Sequence, residues 1–127
     1  MRSRDGPGSV ADDRGFATVL GAFVVAAVVG LTVTIVFVGA AVVARHRAQS
    51  GADLAALAGA GRAILAEPDP CSAARTVAAA NHLTVSECVV DGTEVTVTAD
   101  VAVALGPFGD RVARARARAG PAGDDPP

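Results

Sequence analysis

Lysine, tryptophan and tyrosine are absent from this sequence, and four phenylalanines are its whole aromatic content. Without Trp or Tyr, and with Phe mostly inside one apolar run, there is no platform on which single-stranded nucleic acid would stack. All 11 basic residues are arginine, set against 13 acidic ones for a formal charge of −2, so the broad basic footprint of a nucleic-acid binder is missing too. Chemistry-bearing side chains are as sparse. Histidine occurs only as His46 and His82, cysteine only as Cys71 and Cys88. Their spacing fits no C-x-x-C or H-x₃₋₅-H pattern, which argues against zinc. A Cys–His nucleophile pair would lack an orienting third group. The carboxylates lie scattered near turns or on the polar faces of strands, and no glycine-rich phosphate loop follows a strand. The sequence therefore predicts no enzyme, no metal, no cofactor and no small-molecule substrate.

What the chain has in abundance is apolar length. Hydrophobic residues make up 51% of its 127 residues, and Phe16–Ala44 contains no charge at all. As a helix this run would reach roughly 43 Å, more than the ~20 residues a bilayer core requires. It is apolar all round, unlike a soluble surface helix, and too long and unbroken for a strand. In lipid a helix satisfies its own backbone, so the run predicts a transmembrane helix over residues 16–44. A cleavable signal peptide is the competing reading, with Val42-Val43-Ala44 as a small-residue cleavage site, but its apolar region would be shorter. Arg2, Arg4 and Arg14 precede the run and Arg45 and Arg47 follow it. That count favours a cytoplasmic N-terminus, with residues 1–15 as a leader. Cys71 and Cys88, both beyond the helix, would form a lasting disulfide only outside the cytoplasm, the alternative being two buried free thiols. Within the span, Gly30 and Thr34 form a small-xxx-small pair suited to helix–helix contact.

About 80 residues remain, enough for one small folded unit. Leu54, Leu57, Ile64 and Leu65 recur with several Ala at helical spacing, so the membrane helix continues outward through residues 45–66 and ends before Pro68-Asp69-Pro70. Gly51, Gly59 and Gly61 each weaken it by up to ~1 kcal/mol and leave room for a bend. Ser72 or Asp69 would cap a short second helix ending near Asn81. Alternating residues on both sides of Asp91-Gly92 signal a β-hairpin. Residues 110–119, with Arg114, Arg116 and Arg118 two apart, read as a third antiparallel strand with Ala on one face and Arg on the other. That arginine face would meet anionic lipid or a partner, or else serve as a charged, solvated edge. The expected architecture is an α+β membrane protein: a long N-terminal transmembrane helix, a short second helix, and an antiparallel sheet of two or three strands within a domain at 67–119. Residues 120–127 would form a disordered tail.

Two stretches carry a family resemblance. Asp13-Arg14-Gly15-Phe16-Ala17-Thr18-Val19-Leu20 resembles the N-terminal motif of the TadE/TadG-like pseudopilins of the Flp (tight-adherence) pilus machinery. Arg47-Ala48-Gln49-Ser50-Gly51-Ala52-Asp53-Leu54-Ala55-Ala56-Leu57-Ala58 resembles that group's signature just outside the membrane, which fixes Gln49 and Asp53 in an Ala-rich frame. The chain is also similar to short actinobacterial TadE-like proteins encoded near secretion ATPases, and its Arg-only, Ala/Val-rich composition suits a GC-rich genome. The resemblance covers roughly residues 12–65; the cysteine-containing region shares only the general pilin-like layout.

The resemblance implies cleavage by prepilin peptidase between Gly15 and Phe16, freeing the apolar helix to leave the bilayer sideways. Leu20 stands where pilins of this class usually carry a glutamate, so it offers no salt link to a neighbour's amino terminus. A minor or accessory pseudopilin of a pilus or secretion apparatus is implied, not a filament-forming subunit. Its partners would be the membrane, other pilin-like subunits and secretion platform proteins. Gln49 and Asp53, one helical turn apart, would either meet a neighbouring subunit or form a solvated stripe. The competing functional class is a single-span membrane-anchored binding module or adhesin outside the cytoplasm. A secreted enzyme or inhibitor beginning near Arg45 ranks last, because it would carry no evident site.

Overall fold

The computed structural model describes residues 7–123; residues 1–6 of the expected leader and 124–127 of the expected tail lie outside the described residues. The elements follow in the order α1 (Pro7–Ile64), α2 (Pro70–Ala80), β1 (Thr84–Asp91), β2 (Glu94–Ala104) and β3 (Asp110–Ala119), with a 3₁₀ turn at Gly106–Phe108. The chain divides into two compact units between Val38 and Gly39.

Among the described residues the first unit is helix alone. α1 starts at Pro7, ahead of the apolar run, and proline suits a helix start because its missing N–H would find no helical partner there. An 18-residue window of this helix reaches a mean hydropathy of 2.6, and none of it is buried by the rest of the chain. The few hydroxyls turn inward: Thr18 Oγ1 donates to the Arg14 carbonyl at 2.9 Å and Thr32 Oγ1 to the Val28 carbonyl at 2.8 Å. A polar group so paired can enter hydrocarbon without an orphaned donor. This long apolar helix fits a membrane anchor.

The second unit is built around the C-terminal part of α1, which stays helical through Gly51, Gly59 and Gly61 without a break. Its inner face carries Ala48, Ala52, Ala55, Ala56 and Ala60, all almost completely buried. These pack with Ala74 and Ala78 of α2 and with Val95, Val97, Ala99, Ala115 and Ala117 of the sheet. The helix extension and the domain that follows it thus share one core. Val95 and Val97 are its largest fully buried side chains.

The small size of that interior follows from how closely the helix approaches. A Cβ at Gly51 would fall 1.9 Å from Leu83 Cδ1, and one at Gly59 would fall 2.9 Å from Val95 Cγ1 and 3.2 Å from the Pro70 carbonyl oxygen. Both glycines are packing positions, where the sequence had suggested only weakness.

The sheet is antiparallel in the order β1-β2-β3. Asp91 pairs with Glu94 across the first hairpin, whose first central residue, Gly92, takes a φ of 61°. That positive angle is what a two-residue hairpin turn demands, and glycine adopts it without strain. Val95, Val97, Ala99 and Val101 pair with Ala119, Ala117, Ala115 and Ala113. The alternation therefore places valine and alanine against the helices and puts threonine, acid and arginine on the other face, where Thr98 is itself buried. A register shift between Val85 and Glu87 marks a bulge at Ser86, whose hydroxyl donates to the Thr98 carbonyl at 3.3 Å.

Two local devices fix α2. Asp69 caps its start by accepting from the Ser72 amide at 3.1 Å. Cys71 in its first turn is disulfide-bonded to Cys88 of β1, with Cα atoms 6.0 Å apart. Of the two expected caps, Asp69 is the one used.

Candidate functional site

The Ala-rich motif following the apolar run divides between two tasks. Its alanines at 48, 52, 55 and 56 are interior, as is Gly51 beneath Leu83. Its polar members stay outside. Gln49 Nε2 donates to Asp53 Oδ1 at 3.0 Å, and the same amide makes a longer 3.5 Å contact with the Arg116 carbonyl of β3. The structure thus brings Gln49 and Asp53 together and turns the pair toward the edge strand of its own domain.

Opposite the buried alanines, α1 presents bulk. Leu54, Leu57, Ile64 and Leu65 are 47%, 61%, 51% and 70% exposed. Leu54, Leu57 and Ile64, at i, i+3 and i+10, form one stripe along the helix, and Leu65 follows directly on its last residue. Apolar periodicity normally marks the residues a helix buries, yet here the large residues face out and the small ones face in. The core of this domain leaves them unpartnered.

On the outer face of the sheet the arginines are largely spoken for. Arg114 grips Asp100 with both arms, Nε to Oδ1 at 2.7 Å and Nη2 to Oδ2 at 3.0 Å. Arg118 pairs with Glu94. The hydrogen bond from Arg114 is the main cause holding the Asp100 carboxyl below its ordinary range, and the same bond raises the Arg114 guanidinium. Arg118 is raised likewise by its bond to Glu94. Arg116 enters no ion pair among the described residues. The alternating arginines therefore act first within the sheet, across the β2–β3 register, which pairs Asp100 directly with Arg114.

Gly15 and Phe16 lie inside α1, with Phe16 mostly exposed. Thr34 Oγ1 donates to the Gly30 carbonyl at 2.8 Å, so the small-xxx-small pair is joined by its own hydrogen bond. Sequence reasoning missed Gly51 and Gly59 as close-approach positions. The available signal was their register with Ala48, Ala52, Ala55, Ala56 and Ala60, which makes a continuous face of small side chains.

Residues 15–63 match the model of the Flp pilus-assembly TadE/G-like family. The match begins at the expected cleavage glycine and ends one residue short of the end of α1, so it covers the long helix and stops before the sheet. No curated protein and no solved structure matches the chain.

Proposed function

We propose that this protein is an accessory, minor pseudopilin of a Flp/Tad-type pilus or a related secretion apparatus, acting structurally and without catalysis. Its apolar helix anchors it in the cell membrane as a single span. The N-terminus lies in the cytoplasm and the α+β domain outside, where the Cys71–Cys88 disulfide would persist. Prepilin peptidase would cut between Gly15 and Phe16. Leu20 offers no carboxylate to a neighbour's amino terminus, which favours an accessory place over a filament-forming one.

The observation that carries the reading is the inversion of α1: alanines fill the domain, while Leu54 and Leu57, within the stretch that matches the family, and Ile64 and Leu65, just past it, stand exposed. A helix face of large apolar side chains outside the bilayer is the kind of surface that a neighbouring pilin-like subunit or platform protein would cover. Gln49 and Asp53 flank this surface and would help orient the neighbour.

Two measurements test the proposal in a host that encodes the rest of the machinery. Intact mass of the membrane-extracted protein should give a chain beginning at Phe16. A photo-crosslinking residue at Leu57 should trap a pilus-machinery component, and a Leu54→Ser, Leu57→Ser variant carrying the probe at Ile64 should lose that product. Retention of residues 2–15 together with an absence of crosslinks would sink the proposal and favour a plain anchored binding module.

A further inference from the structure

The turn between α2 and β1 folds back onto α1 just beyond the apolar run. His82 N donates to the Ala79 carbonyl at 3.0 Å and Leu83 N to the Ala78 carbonyl at 2.9 Å, the paired bonds of a Schellman helix end. Leu83 is buried over Gly51, which draws the turn against the helix. Such an end needs a left-handed residue at the position His82 occupies, and its φ is 60°. Glycine is the usual occupant because it adopts that angle without strain, whereas an L side chain there is strained.

The strained histidine lies on the wall of a cleft of about 780 Å³, lined also by Val43, His46, Arg47, Ser50 and Asn81. Every polar side chain there can donate a hydrogen bond, Arg47 carries a fixed positive charge, and no carboxylate lines the cleft among the described residues. Arg47 enters no ion pair among those residues either. The cleft follows directly on Ala44, the last residue of the apolar run, with Val42 and Val43 in its wall. A helix leaving a bilayer there would carry it into the headgroup layer.

We propose that this cleft is a binding site for phosphate oxygens, occupied by the phosphodiester of an anionic phospholipid headgroup. Arg47 supplies the charge-assisted bond, and His82, His46, Ser50 and the second N–H of the Asn81 amide, whose first donates to the Val77 carbonyl at 2.9 Å, supply further donors around it. The strain at His82 keeps an imidazole where a glycine would close the turn more easily. The inference rests on the membrane-anchored part of the reading above and needs neither leader cleavage nor a pilus partner.

The test uses the full chain in neutral detergent micelles, titrated separately with phosphatidylglycerol, phosphatidylcholine and inorganic phosphate while backbone amide resonances are followed. Phosphatidylglycerol should shift Ser50, Gly51, Asn81 and His82, with phosphatidylcholine far weaker. Arg47→Gln should lower the apparent affinity about tenfold, as expected for losing one charge-assisted bond. His82→Gly is the deciding variant. It relieves the backbone strain, so amide protection in β1 should hold or rise, yet binding should fall several-fold. Binding unchanged in His82→Gly, or shifts spread evenly over the surface, would overturn the proposal. Shifts as large with inorganic phosphate would overturn the lipid assignment in favour of a soluble phosphate ligand. A chain that stays in solution without detergent would refute the anchored reading, and the phosphate titration would then decide the cleft on its own.

Discussion

Alanine at Gly59 and at Gly61, two residues apart on one helix, should move the stability of the small domain in opposite directions. Both substitutions gain helix propensity, up to ~1 kcal/mol. At Gly61 an added Cβ meets nothing within 4 Å, so Gly61→Ala should stabilise by about 0.5–1 kcal/mol. At Gly59 the same Cβ lies 2.9 Å from Val95 Cγ1 and 3.2 Å from the Pro70 carbonyl oxygen. Val95 is fully buried and β-branched, so it has no free rotamer into which to swing. The carbonyl belongs to the first turn of α2, which Asp69 caps and Cys71 ties to β1. With neither neighbour free to yield, overpacking should cost about 1–3 kcal/mol and outweigh the propensity gain, leaving Gly59→Ala less stable by up to ~2 kcal/mol. Amide hydrogen exchange at Val95–Ala99, measured on the full chain in micelles, reads this directly, because each 1.4 kcal/mol of opening energy is about tenfold in rate. Gly61→Ala should slow exchange about threefold and Gly59→Ala should speed it by about tenfold. If Gly59→Ala slows exchange as Gly61→Ala does, the close approach of α1 to β2 is wrong, and with it the account of the core.

Three further outcomes follow from single contacts. Replacing Cys71 and Cys88 by serine opens a loop with a sequence separation of 17, and should lower domain stability by about 3 kcal/mol, read as lost amide protection in the sheet. Asp100 has its folded pKa depressed by Arg114, so it contributes stability above its ordinary value of about 3.9 and loses that contribution as pH falls through the folded value. An acid-unfolding titration of Asp100→Asn should therefore show a shallower fall below about pH 4 than the parent. Ala66 ends α1 at a φ of 51°, so Ala66→Gly should relieve that strain and, after the glycine's extra unfolded-state entropy, stabilise the last turn by about 0.5 kcal/mol. Slower exchange at the Glu67 amide, which donates to the Arg62 carbonyl, is the readout.

The parts of the fold that could be read in advance were those in which one signal had no competitor. Phe16–Ala44 is apolar on every side, Asp91-Gly92 interrupts a clean alternation, and arginine alternates with alanine through Ala119; each pattern fits a single element. The backbone register with β2 sets the third strand; the pairing of Arg114 with Asp100 could not be read in advance, because a row of arginines says nothing about which carboxylates lie opposite. The core of the second unit was harder to see. Hydrophobic periodicity gives weight to leucine and isoleucine, so it points to Leu54, Leu57, Ile64 and Leu65, while alanine and glycine can pass for filler. Here contact distance decides. With Gly51 under Leu83 and Gly59 against Val95, the helix sits too close to its partners to admit a leucine. The two left-handed helix ends, at Ala66 and His82, lacked the glycine that would have announced them.

A core of alanine has a consequence for what the outer residues are for. Each buried alanine removes little apolar surface from water, so the second unit gains less from burial than a leucine core of the same length would. It compensates with a covalent tie, a capped helix and a bidentate ion pair across β2 and β3. The leucines and isoleucine on the outer face of α1 add little to that balance, since about half or more of each remains in contact with solvent. Polar residues there would leave the core intact. Bulk placed where the fold does not use it is what the proposed contact with a neighbouring subunit requires, and Leu54 and Leu57 lie within residues 15–63, which match the pilus-assembly family. The arrangement separates two sets of residues along one helix: small ones inward, so that the domain can close on it, and large ones outward, where the proposed neighbour would sit.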